Sequence, residues 1–499
     1  MEDAPLYLRP RVDPPLASLL EDASFLHSLA DSLGSPLNVL VPEAVAGNVE
    51  RFWSVYRRHR LRGRVYFAHK ANRSSALVRR LAACEPDAVG IDVASLDELR
   101  HALGCGFTGD RVMATGPKDP QFLWLAARVG ATVNVDSVGE LEQLACLTRK
   151  YGLARAEVLV RLSGFESDDE HGGAGTRMLS RRSRFGTPAA RADELWTALQ
   201  RHADVIELVG LAYHLDTTGL EEKSRALERC VLLMDECRAR GFAPRVVDIG
   251  GGFGVGYVAD AGEWERWTTA LSEAVLGTRP PLTWRGHGYG LRNEGGTVRG
   301  TAALYPAHRP GAGPGYLDEL LSRPASVLDR PVATLLLEHL HDLYIEPGRA
   351  LVDQCGLSLA KVVEVRRTGE GPPLVRLGMN AGDVSLEEHG VLVDPVLIPR
   401  RGTPDGQAGD GPVGVHLVGN LCLEADLITR RLVFLPRLPR TGDLLAFVNT
   451  AGYVMDFHAH HAQRRPVART VAVTHTGGIW HWCPDEDYWP LTHPQGVPS

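Results

Sequence analysis

Eight short apolar runs, each followed by a stretch of helical periodicity, recur between residues 65 and 350 of this 499-residue chain, and no other feature limits its fold so strongly. The runs are VYFAHK (65–70), AVGIDVAS (88–95), VMATG (112–116), TVNVD (132–136), VLVRL (158–162), LVGLAYHL (208–215), VVDIGGG (246–252) and LLLEHLHDLYIEPG (335–348). Most are nearly continuous in apolar residues, as strands covered on both faces must be. Segments between them read as helices. In 220–240, for example, Leu227, Cys230, Val231, Met234 and Cys237 share one stripe. Eight strand–helix units predict an α/β fold, a (β/α)8 TIM barrel. An open doubly wound sheet is the alternative. After Arg349 the runs LSLAKVVEVRR, PLVRLG, VGVHLVG and DLLAFVNT are strand-like and separated by Gly, Pro and Asp. They predict a mostly antiparallel C-terminal domain, a β-sandwich or β-barrel. The expected division is 1–35 as an N-terminal segment that can pack on the β domain, 36–354 as the barrel and 355–499 as the β domain. A Gly-, Pro- and Arg-rich insertion at 277–316 falls between the seventh and eighth runs. Loops this long in a compact domain are functional or disordered, and its place after a barrel strand suggests a lid or wall of the site.

Composition narrows the function classes. A net charge of −7 gives no footprint for nucleic acid. The N-terminal MEDAPLYLRPRVDPP has no h-region, and no apolar run approaches the ~20 residues of a membrane helix. Eight cysteines without a CxxC pair fit reduced thiols and a cytoplasmic location. Only five of the 54 basic residues are lysines: Lys70, Lys118, Lys150, Lys223 and Lys361. Arginine keeps its proton and forms no Schiff base under ordinary conditions, whereas a desolvated lysine can. Lys70, at the end of VYFA, therefore has a chemical reading beside the bland one, a side chain snorkelling from a strand end.

A barrel places its chemistry at the C-terminal ends of its strands. The polar residues there are Lys70, Ser95, Asp136, Arg161, His214, Gly250 to Gly252, and Glu346 with Arg349. Each alone has an ordinary explanation; Asp136, for example, could simply cap a helix. DIGGGFG (248–254) can form an anion nest from backbone N–H groups, although it continues into neither a dinucleotide fingerprint nor a Walker motif. EPGR (346–349) adds an arginine suited to phosphate. An imine-forming lysine, a phosphate nest and a carboxylate together fit pyridoxal 5'-phosphate: Lys70 on the aldehyde, the glycines and Arg349 on the phosphate, Glu346 on the pyridine nitrogen, His214 against the ring.

At this point the chain resembles the fold-type III pyridoxal-phosphate decarboxylases, the diaminopimelate, ornithine and arginine decarboxylase family, as a divergent member. In order along residues 36–466, SPLNVL resembles the family's opening strand and VYFAHKAN its YAVKAN. GIDVASLDEL and VNVDSVGELEQL resemble D-x-A-S-x-G-E-L and V-D-S-x-x-E-L. SRFGT resembles SKFGI, DIGGGFG resembles DIGGGFP, and EPGRALV is almost unaltered. GNLCLEAD resembles GPxCESxD, and NTAGYVMDF the region around GAY. The resemblance implies an alanine-racemase-like barrel. It makes Lys70 the Schiff-base residue and His214 the ring-stacking one. Thr217, in place of a Ser, Gly250 to Gly252, Arg349 and Tyr453 become phosphate ligands, and Glu346 the acid at the pyridine nitrogen. Cys422 becomes the residue that reaches the site from the partner of a head-to-tail homodimer and reprotonates the α-carbon. Arg161 joins the cofactor-binding set. The implied reaction removes the α-carboxylate of an amino acid through an external aldimine, making the protein a lyase of amino-acid metabolism.

Three departures matter. HLDTTG stands where the family has H-x-GS, so Asp216 replaces a Gly. The acidic residue after the family cysteine is Leu423, with Glu424 following and Asp426 two further on. A leucine cannot pair with an ammonium, so either Glu424 takes over or the substrate has no distal amine there. FHAHHAQRRP (457–466) invites a metal through His458, His460 and His461, but no carboxylate or cysteine stands at ligand spacing, and no metal is expected. EHLHD (338–342) has the same status. The competing functions are racemase- or aldol-type chemistry on the same cofactor, against which EPGR and GNLC argue, and a decarboxylase-like binding protein without turnover.

Overall fold

A computed structural model describes residues 4–164, 183–215, 219–367, 369, 371–400 and 411–490. The chain forms two compact units.

One unit, residues 45–254 and 311–351 with 489–490 of the described C-terminus, is the barrel. Its eight parallel strands run in the order Thr132–Val135, Val112–Ala114, Val89–Val93, Gly63–Ala68, Asp342–Ile345, Val246–Asp248, Ile206–Tyr213 and Ala156–Ser163. Pairing of Ala156–Ser163 with Thr132–Val135 closes the ring. All eight expected runs contain a barrel strand, and the open-sheet alternative falls. Tyr66, Met113, Leu159, Val209, Ala212 and Val246 pack together between strands. The helices start where side-chain caps permit. Ser95 accepts from the Glu98 N–H and Ser137 from the Glu140 N–H, both at 3.2 Å, at the start of Leu96–Gly104 and Val138–Tyr151. Gly130 and Gly152, left-handed, end Pro120–Val129 and Val138–Tyr151. The eighth run needs correction: Val332–Glu338 is helix, and only Asp342–Ile345 is strand. A run of leucines satisfies a buried helix face as well as a strand, and length alone did not separate them.

The other unit, residues 1–44, 255–310 and 352–488, is built on a mostly antiparallel sheet. The strand order is Val433–Leu435, Val413–Val418, Leu374–Leu377, Gly356–Arg366, Leu37–Leu40, Arg469–Thr476 and Ile479–Pro484. Leu444–Val448 also pairs with Gly356–Arg366, and Val396–Ile398 with Leu444–Val448. Helices Pro14–Glu21 and Ala23–Leu33 put Leu16, Leu19, Leu26 and Leu29 into the same core as Leu357, Leu359 and Val471. Leu37–Leu40, expected to open the barrel, instead lies between Gly356–Arg366 and Arg469–Thr476 in this sheet.

The insertion also differs from expectation. Residues 255–310 belong to the sheet-containing unit. Backbone hydrogen bonds tie it there: Trp284 N–H to Arg430 O at 2.6 Å, Leu432 N–H to Leu282 O at 2.8 Å and Tyr305 N–H to Gly390 O at 2.9 Å. Gly- and Arg-rich composition concealed this because main-chain pairing needs no apolar side chains. Among the described residues no helix is long and apolar enough to cross a membrane.

Candidate active site

A cavity of about 750 Å³ opens at the carboxyl ends of the barrel strands, within the range of small-molecule sites. Its walls include Lys70, Asp92, Arg161, His214 and Glu346. Lys70 is not buried. It sits in the single 3-10 turn His69–Ala71 that follows Gly63–Ala68, with its side chain exposed. Glu346 follows the last strand and is 6% exposed. Its Oε2 lies 3.8 Å from His214 Nδ1. Arg161 sits with its guanidinium 4.9 Å from the Phe185 ring.

Three carboxyls crowd this end of the barrel: Asp92, Asp248 and Glu346. Burial, then the neighbouring Glu346 charge, pushes Asp92 and Asp248 well above the carboxylate range. Burial acts against an ionised Glu346 too, but His214, Lys70 and Arg161 outweigh it and hold its carboxyl below the usual value. Burial lowers His214 despite the opposing pull of Glu346. The three carboxyls are thus pulled apart: the nearby cationic groups favour an ionised Glu346, while burial favours the protonated forms of Asp92 and Asp248. Sequence reading missed Asp92 and Asp248 as site residues; an Asp inside an otherwise apolar strand was the available signal.

The glycine turn is shaped by close approach. Gly250 (φ +65°) and Gly252 (φ +85°) are left-handed. A Cβ on Gly250 would stand 2.7 Å from His214 Nδ1, and one on Gly251 2.7 Å from Glu346 O. Not all three N–H groups are open, as expected of a nest. Gly250 donates to Asp248 Oδ1 at 2.8 Å and Gly251 to His214 Nδ1 at 3.2 Å. Gly252 is exposed, and among the described residues its N–H has no partner. Arg349 is half-buried just after the last strand, outside the cavity lining. Ser95 serves as a helix cap, and Asp136 accepts the Gly186 N–H at 3.0 Å instead of capping. Thr217, with Asp216, lies outside the described residues.

The remaining expected residues belong to the sheet-containing unit. Cys422 is exposed, with its N–H on Gln463 Oε1 at 3.0 Å. Leu423 is 58% exposed. Glu424 lies 3.5 Å from Arg285 of the insertion. Asp426 is not a free substrate ligand: it is buried and accepts the N–H groups of Ala381 (2.9 Å) and Leu421 (2.8 Å). Tyr453 is half-buried at φ +66°, its carbonyl 3.0 Å from His389 Nε2. Among the described residues no group of three or more His, Cys, Asp or Glu is placed to hold a metal; His458 Nδ1 instead meets Ser385 Oγ at 3.1 Å.

Comparison with known proteins places the chain in a family. Residues 46–281 match the family described as "Pyridoxal-dependent decarboxylase, pyridoxal binding domain". The chain is 30% identical to the uncharacterized protein y4yA of Sinorhizobium fredii over 91% of each chain. It is 28% identical to a diaminopimelate decarboxylase of Actinosynnema pretiosum, over 90% of this chain and 86% of that one. In fold it is similar to the diaminopimelate decarboxylase of M. jannaschii (TM-score 0.67, 18% identity, 91% and 90% of the two chains). It is also similar to the arginine decarboxylase of Paramecium bursaria Chlorella virus (TM-score 0.63, 17% identity, 90% and 100%). With an exposed lysine, a buried glutamate and a glycine turn at the strand ends of a closed barrel, the chain belongs to the fold-type III pyridoxal-phosphate-dependent decarboxylase family.

Proposed function

We propose that this protein decarboxylates an amino acid at the α-carbon, and that its substrate carries no ammonium group where the family's acidic residue would meet one. The observation that carries the first part is the placing of Lys70, His214 and Glu346 around one cavity, with Glu346 Oε2 3.8 Å from His214 Nδ1. Pyridoxal phosphate, when bound, supplies an aldehyde and an electron-accepting ring. Lys70 would hold the aldehyde carbon and release it to the substrate amine. Glu346 would hold a proton on the ring nitrogen, a role favoured by the neighbouring groups that hold its carboxyl below the usual value. His214 would lie against the ring, and the Gly250–Gly252 turn with Arg349 and Thr217 would bind the phosphate. Arg161 would balance negative charge on that wall.

Cys422 is read as the group that returns a proton to the α-carbon, which requires a head-to-tail homodimer. The second part rests on Leu423 and on Glu424, which lies 3.5 Å from Arg285. Diaminopimelate and arginine decarboxylases are among the relatives named above, and this chain would differ from them at the far end of the substrate. The test is carbon dioxide release from a panel of amino acids, with Lys70→Ala as control. Release that requires Lys70 is expected. Turnover retained in Lys70→Ala would overturn the assignment. Turnover of lysine, ornithine or diaminopimelate at the rate of a dedicated enzyme would overturn the substrate reading. Product that keeps its α-carboxylate would favour racemase- or aldol-type chemistry.

A further inference from the structure

Three of the chain's five lysines bear on the cavity end of the barrel. Lys70 lines the cavity. Lys118 braces its wall, with Nζ donating to Gly116 O (2.6 Å), Asn134 O (2.7 Å) and Glu140 Oε1 (2.8 Å). Lys223 has no role in the reading given so far. It lies in the first turn of helix Leu220–Ala239 and is 0% exposed. A buried ammonium is costly unless its surroundings compensate it. Here Nζ donates to the carbonyl of Gly251 and stands 5.1 Å from the Phe253 ring and 5.6 Å from the Tyr316 ring. Both aromatic faces favour a cation.

The carbonyl of Gly251 belongs to the peptide that carries the Gly252 N–H. That peptide is trans, and in a trans planar peptide C=O and N–H point in opposite directions. Holding the oxygen toward Lys223 therefore turns the Gly252 N–H away from it. Gly252 supplies the one N–H of the three that is not already spent on Asp248 or His214. The donor left for an anion is thus the one whose direction Lys223 sets. The ammonium also polarises the same peptide, which strengthens that donor.

We propose that Lys223 is a positioning residue for the cofactor's phosphate: it acts through the Gly251–Gly252 peptide without touching the ligand. The proposal rests on the reading of Gly250–Gly252 as the phosphate site. It also accounts for lysine in an arginine-rich chain, because a compact ammonium suits a point contact between two rings and a planar guanidinium does not.

The test compares pyridoxal phosphate with pyridoxal, which lacks the phosphate. Dissociation constants for both are measured on the cofactor-stripped full-length protein by quenching of its tryptophan fluorescence. The variants are Lys223→Met, which keeps the stem and removes donor and charge, and Lys223→Gln, which keeps a neutral N–H donor. Lys223→Met is expected to lose on the order of tenfold of the preference for pyridoxal phosphate, the scale of one charge-assisted hydrogen bond, while pyridoxal binds as in wild type. Lys223→Gln should keep part of the preference, and carries the comparison alone if Lys223→Met does not fold. Equal weakening of both ligands would mean a merely structural lysine and overturn the proposal. So would an unchanged ratio beside a phosphate-preferring wild type. A wild type that does not prefer pyridoxal phosphate to pyridoxal would instead remove the phosphate-site reading, and this proposal with it.

Discussion

Replacing Gly250 by alanine puts the shape of the glycine turn to a quantitative test. Two costs add. An L-residue at φ +65° sits in the left-handed region, at about 1–2 kcal/mol. The new Cβ would also stand 2.7 Å from His214 Nδ1 and 2.8 Å from Tyr213 O. Ordinary contact begins at 3.4 Å, so the ring must retreat by 3.4 − 2.7 = 0.7 Å. That retreat breaks the Gly251 N–H to His214 bond, about 1 kcal/mol, and overpacks the turn at about 1–2 kcal/mol more. The total is about 3–5 kcal/mol. Gly241→Ala isolates the first cost: its φ is +89° and nothing lies within 4 Å of the added carbon. It should cost only about 1–2 kcal/mol. Denaturant unfolding of the cofactor-free variants measures both, and a cofactor titration reports the site. Gly250→Ala is expected to be the weaker by about 2–3 kcal/mol and to lose cofactor affinity, whereas Gly241→Ala keeps it. Equal stability of the two variants, with cofactor binding intact in both, would refute the packing argument.

Two further outcomes follow from other parts of the molecule. His341 is 4% exposed, and burial, with the Arg238 and His339 charges, depresses it to about 4 from its ordinary 6.5. The unfolded chain takes up this proton below 6.5 and the folded one only near 4, so stability falls as pH drops through that window, by up to about 3 kcal/mol. His341→Gln should flatten this part of the melting-temperature profile between pH 7 and 4.5, and an unchanged slope would show that the ring is not held neutral. Leu423→Glu should leave stability within about 0.5 kcal/mol, since the residue is exposed, and raise kcat/KM for lysine or ornithine by on the order of tenfold; no gain with either would show that this position does not read the distal group.

What was legible in the sequence is what local chemistry specifies. Apolar runs of four to eight residues announced the barrel strands, because strands buried on both faces need nothing else. A helix cap was expected beside the fourth run, and Ser137 rather than Asp136 supplies it. Gly250 and Gly252 announced a left-handed turn. Motif order along the chain then joined Lys70, His214 and Glu346 into one site, and the structure brings these three around one cavity.

What remained hidden depends on partners distant in sequence. Leu37–Leu40 would suit either sheet, and only its pairing with Gly356–Arg366 and Arg469–Thr476 decided which. Residues 282–305 carry little apolar periodicity, so their backbone bonds to 390 and 430–432 left no trace in composition. Asp426 reads as a candidate ligand until its oxygens are seen to hold Ala381 and Leu421. The charge states are the furthest from the sequence. Asp92, Asp248 and Glu346 are chemically similar acids, and which is pushed up and which held down depends on burial and on the nearness of His214, Lys70 and Arg161. Lys223 belongs with them: nothing in EEKSRA shows that its ammonium meets the carbonyl of Gly251. Sequence by itself determined the barrel's periodicity and the inventory of reactive groups, because both follow from residue type and spacing. Tertiary structure alone decided which groups are charged, spent or aimed, because desolvation and hydrogen bonding act between residues that only folding brings together.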